Sequence, residues 1–165
     1  MIDETDDAAA FLQAYIDEHG YLSWLGTRVE SMGHDRLVMT IPFDEKLTNT
    51  RPNGDDNATA NIHGGIAATL IDTAGGIALR PALDDPMEDD VATINLNVNY
   101  LRPAVGDLTA TADVIRAGSS VGVSTVLVES EAPDGETKPV ATGQGAYRLF
   151  QGRLEASLRP STGEA

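Results

Sequence analysis

The chain of 165 residues contains no cysteine, which excludes disulfides, thiolate metal sites and a cysteine nucleophile. Lysine is nearly absent too: Lys46 and Lys138 stand beside nine arginines, and these eleven bases face twenty-six acids. The resulting net charge of −15 disfavours non-specific binding to nucleic acid or to anionic lipid. No apolar run approaches the ~20 residues that a membrane-spanning helix needs. Positions 1–20 are acidic and lack a basic n-region, so no secretory signal is expected, and the default reading is a soluble cytoplasmic domain. Aromatic residues make up only 5% of the chain, but apolar residues overall make up 41%, enough for a core and too many for disorder throughout. The length fits one domain.

The acidity has two readings. One is an ordinary acidic protein. The other, which we favour, is a halophilic protein from a high-salt cytoplasm, where screening makes dense like charge tolerable. This bears on habitat and not on activity.

Along the chain, Met1–Asp7 reads as an acidic tail, and Ala8–His19 as a helix with Phe11, Leu12, Tyr15 and Ile16 at helical spacing. Tyr21–Met32 and Asp35–Phe43 read as strands, and Asp44–Asn61 as a long polar loop of the kind that is usually functional. The segment His63–Leu79 reads as a helix that is apolar or small on nearly every side, and so buried. Its glycines suggest that something packs very close to it. Four further strands are expected at Val91–Leu101, Asp107–Arg116, Val121–Glu131 and Val140–Phe150. In the first of these, strict alternation puts Ile94, Leu96, Val98 and Tyr100 on one face and Thr93, Asn95, Asn97 and Asn99 on the other. A polar tail, 151–165, follows. The architecture expected is α+β, with a long central helix wrapped by a curved antiparallel sheet. The division is 1–20 for the tail and first helix, 21–150 for the main domain, and 151–165 for the second tail.

Two features call for chemistry. Asp72 is the only ionisable side chain between His63 and Arg80, in the most apolar helix of the chain. A carboxylate there is either a solvated edge residue or a group held for a purpose. His63-Gly64-Gly65 opens the same helix, where unsatisfied N–H groups and the positive dipole end can receive a developing oxyanion. A tight turn would also explain the glycines. His19, His34 and His63 show no metal-ligand spacing, so no metal and no cofactor is implied. There is no Gly-x-Ser-x-Gly elbow.

Taken together, Asn57, then His63-Gly64-Gly65, then Asp72, followed by the run Thr93–Ala104, resembles the hot-dog-fold acyl-CoA thioesterases of the phenylacetate-pathway (PaaI-like) type. The resemblance covers about Tyr21–Phe150. It implies that Asp72 is the carboxylate that attacks the thioester or activates water. It implies that the Gly64 N–H polarises the thioester carbonyl, with His63 beside that oxyanion site and Gly65 against the substrate. Asn57 would place the water or the carbonyl, and Thr93 would assist the nucleophilic water. It also implies a site assembled across a homodimer, with homotetramers as a further step, and acyl-CoA as substrate. The alternative is a non-catalytic hot-dog module that binds acyl-CoA as a sensor.

Overall fold

The computed structural model describes residues 4–49 and 60–151 of the chain. Helix α1 runs over Glu4–Glu18, so it begins inside the expected acidic tail, and a short helix α2 follows over Gly20–Trp24. The second helix replaces the first part of the strand expected from Tyr21. His19 caps it by accepting the Leu22 N–H at Nδ1, and Leu22 is buried, which fixes this turn against the core.

Six strands follow: β1 Arg28–Met32, β2 Arg36–Ile41, β3 Asp90–Tyr100, β4 Leu108–Ala117, β5 Val121–Glu131 and β6 Thr137–Phe150. They form one antiparallel sheet in the order β1-β2-β4-β5-β6-β3. Helix α3, Gly64–Ile77, lies between β2 and β3 in sequence and packs on the sheet. Leu37, Met39, Leu108, Val126 and Val128 point from the strands into one core with Leu70 and Ile71 of α3. Leu12 and Ile16 of α1 join that same core.

The expectation that α3 is buried on nearly all sides needs correcting for this chain. Ala67, Leu70, Ile71, Ala74, Gly75 and Gly76 are buried, but Ala68, Thr69, Asp72, Thr73 and Ile77 are only half-buried. A single sheet covers one side of a helix. The other side of α3 remains partly open within this chain.

The glycines are explained by named neighbours. A Cβ at Gly76 would come within 3.2 Å of the Tyr147 ring, and one at Gly75 within 2.7 Å of Ser124 Oγ and nearer still to the Tyr147 hydroxyl. In β6, Gly145 makes room for that same ring and Gly143 admits Ile71. What packs close to the second half of the helix is therefore a tyrosine of the sheet.

Candidate active site

A β-bulge decides which way Thr93 points. Thr93 pairs with Tyr147 and Asn95 with Ala146, which leaves Ile94 as the extra residue. The alternation slips by one at that point. Thr93 therefore shares the helix-facing side with Leu96 and Val98, and not with Asn95 as strict alternation predicts, while Ile94 is exposed. The Thr93 hydroxyl reaches α3 and donates to Asp72 Oδ1 at 2.7 Å.

Behind Asp72 stands Tyr147. It is buried, and its hydroxyl donates to the Asp72 main-chain carbonyl at 3.1 Å. Next to it the Ser124 hydroxyl donates to the Gly75 carbonyl at 2.9 Å. Burial, and less strongly the negative charge of Asp72, push the Tyr147 phenol up to about 12, with the neighbouring Ser124 hydroxyl opposing, so it stays neutral and donating. Asp72, Thr93 and Tyr147 line a cavity of about 200 Å³, together with Tyr15 and His19 of α1–α2 and Arg80, which follows α3.

The helix N-terminus is built separately. The His63 N–H donates to the Leu47 carbonyl, and the Ile62 N–H to the Ala104 carbonyl, which holds the chain entering α3. His63 then caps the helix, its Nδ1 accepting the Gly65 N–H at 2.9 Å. Hydrogen bonds at this turn thus engage the N–H groups of Gly65 and Ile66, and among the described residues none engages that of Gly64. A Cβ at Gly64 would meet the Tyr100 ring at 3.0 Å.

The structure therefore joins Asp72 with Thr93, and His63 with Gly64 and Gly65, but keeps the two groups apart. Asp72 lies eight residues beyond Gly64 on α3, about 12 Å at the rise of an α-helix. Asn57 lies outside the described residues. Among those residues no cluster of ligating side chains is arranged to hold a metal ion, and no helix is long and apolar enough to cross a membrane.

The pattern of the Thioesterase superfamily matches residues 60–136, which contain α3, Gly64, Asp72 and Thr93. A protein of Halobacterium salinarum, named as a candidate esterase, is 51% identical over 150 residues, covering 90% of this chain and 96% of its own. The chain belongs to the thioesterase superfamily. A solved thioesterase-family structure from Silicibacter pomeroyi superposes with a TM-score of 0.70 at 26% identity, over 86% of this chain and 96% of that one. A medium/long-chain acyl-CoA thioesterase of Escherichia coli is 34% identical over 86 residues, 45% of this chain and 56% of its own. The fold is the hot-dog fold, and the protein is a thioester hydrolase.

For this thioesterase, sequence reasoning missed Tyr147, Arg80, Tyr15 and His19 around the cavity. The glycines at 75, 76 and 145 were a signal for Tyr147, since together they clear the volume of one ring. Nothing in the local pattern pointed to Tyr15 or His19, because their place depends on how α1 docks.

Proposed function

We propose that this thioesterase hydrolyses acyl-CoA to a free acid and CoA, in the manner of the PaaI-like branch, with Asp72 as the working carboxylate. The observation that carries the reading is the Thr93 hydroxyl on Asp72 Oδ1 at the wall of a cavity. That bond fixes the carboxylate, leaving Oδ2 to hold a water. As the water oxygen bonds to the carbonyl carbon, Asp72 takes its proton. The oxyanion then collects on the Gly64 N–H at a helix N-terminus. Collapse breaks the C–S bond, and the leaving thiolate takes from Asp72 the proton that came from the water. A thioester carbonyl is already activated, so one base and one oxyanion donor are enough.

The separation within α3 supports a homodimer, because no single carbonyl touches both Gly64 and Asp72 of one chain. In this reading the Asp72 and Thr93 of one copy face the Gly64, His63 and Asn57 of another. Strand β3 suits the contact: it is a sheet edge, with Ile94 and Tyr100 exposed along it and Leu101 exposed just past its end. The partner would also cover the half-buried side of α3. We place the enzyme in a high-salt cytoplasm, in keeping with its charge of −15.

The experiment is steady-state hydrolysis of a panel of aliphatic and aromatic acyl-CoAs by the wild type and by Asp72→Asn. The variant should fold, as judged by circular dichroism, and lose about 10²–10⁴-fold in kcat. Near-normal turnover by a folded Asp72→Asn protein would remove Asp72 from the mechanism. A wild type that binds acyl-CoA and turns none over would be a sensor instead.

A further inference from the structure

The lining of the Asp72 cavity is unevenly charged. Asp72 and Thr93 form its reacting end, and Leu22, Ile77 and Val91 give it apolar wall. Arg80 lines it too, eight residues after Asp72 and just beyond the end of α3, at the start of a short 3-10 turn. This guanidinium is held in place: Nη1 donates to the Pro86 carbonyl at 2.6 Å, which anchors it to the loop before β3. Among the described residues no carboxylate pairs with Arg80; the same holds for Arg28, Arg102, Arg116 and Arg148, but those four are exposed and Arg80 is half-buried. Arg80 is thus the one arginine among the described residues that is partly withdrawn from water and has no acid beside it. His19 lines the cavity as well, and because its Nδ1 accepts the Leu22 N–H, its ring proton sits on Nε2 as a donor.

A purely hydrocarbon acyl group laid along this wall would strip water from the guanidinium and return no acceptor. A terminal carboxylate would replace that water with charge-assisted hydrogen bonds. We propose that Arg80 is the specificity-determining residue of this cavity and selects acyl groups whose far end is a carboxylate. The proposal rests on the reading of the Asp72 cavity as the acyl site of a thioesterase.

The test compares kcat/KM for hexanoyl-CoA and for adipoyl-CoA, its counterpart with a terminal carboxylate, in the wild type, Arg80→Leu and Arg80→Lys. The wild type should prefer adipoyl-CoA by at least about tenfold. Arg80→Leu should lower that preference by roughly 10–100-fold, almost wholly through the adipoyl substrate, and Arg80→Lys should keep much of it. Wild-type preference for hexanoyl-CoA overturns the proposal. So does an Arg80→Leu protein that raises KM equally for both substrates, which assigns Arg80 to the CoA moiety they share. Hydrolysis of hexanoyl-CoA without the predicted selectivity defeats only this proposal. Hydrolysis of neither ester, nor of any other acyl-CoA, defeats the acyl-CoA reading and this proposal with it.

Discussion

The two halves of α3 are made of similar residues and do different work. The first turn, His63-Gly64-Gly65, is an open terminus: its glycines meet only a histidine cap and the edge of Tyr100, itself an exposed side chain. The second half, from Asp72 to Gly76, is seated on Tyr147 and Ser124, with three hydroxyls (Thr93, Ser124 and Tyr147) bonded to the helix. A glycine in the first half keeps a backbone donor accessible. A glycine in the second lets a sheet residue come near enough to fix the strand of helix that carries the carboxylate. The difference is one between approach from outside and packing from within, and each half can be disturbed without the other.

The largest effect should come from separating the halves genetically. Gly64→Pro removes the N–H at the first helical position, where proline is well tolerated, and His63 already has the extended backbone that precedes proline (φ −63°, ψ 130°). The exposed Tyr100 ring must give way to the new side chain. This variant alone should lose about 10²–10³-fold in kcat, as should Asp72→Asn by its own route. If the site spans two copies, mixing and reassembling the two inactive proteins in equal amounts gives half heterodimers, each with one intact site. Activity should then return to about a quarter of wild type. Mixtures as dead as their components would place both groups in one chain's site.

The comparison also shows what could be read in advance. The order of elements, the curved sheet around a helix and the motif residues of α3 were legible because they depend on local period and spacing. Thr93 was identified from its motif, but its facing was not: strict alternation put it with Asn95, and only the bulge at Ile94 turns it to Asp72. A one-residue insertion in a strand leaves no mark on composition. The α2 turn was hidden in the same way, since Tyr21–Trp24 is as acceptable in a strand as in a helix until His19 and Leu22 settle it. The apolar or small character of α3 on nearly every side was real, but burial in this chain follows only the side that meets the sheet, and Ala68, Thr69, Asp72, Thr73 and Ile77 stay half-buried.

A methyl group tests the second half. Gly75→Ala would place its Cβ within 2.7 Å of Ser124 Oγ and against the Tyr147 hydroxyl, and both belong to a packed interior. Overpacking of this kind costs about 1–3 kcal/mol, which offsets any gain in helix propensity and should lower the melting temperature by roughly 3–10 °C. Gly65→Ala is the control in the first half. Its Cβ would press on the exposed His63 ring, which can turn aside, so a smaller loss is expected. Equal losses at the two sites, measured by thermal melts at one pH, would erase the distinction between a packed and an open half.

The smallest effect is the one that isolates the Tyr147 hydroxyl. Its phenol is raised from 10.0 to about 12 by burial first and the Asp72 charge second. Between those values the unfolded chain has released this proton and the folded chain has not, so folding is opposed increasingly as pH climbs. The stabilisation is complete below pH 10 and is lost as pH rises through about 12. Tyr147→Phe keeps the ring against Gly75, Gly76 and Gly145, and removes only the donor to the Asp72 carbonyl. At pH 7 it should cost about 1 kcal/mol, the worth of one hydrogen bond, and lower kcat only severalfold, since the carboxylate keeps Thr93. Above pH 10 the variant should lose stability less steeply than wild type, and the two melting curves should converge. Parallel curves across pH 9–12 would mean that Tyr147 ionises as freely as an exposed phenol. The second half of α3 would then be as open as the first.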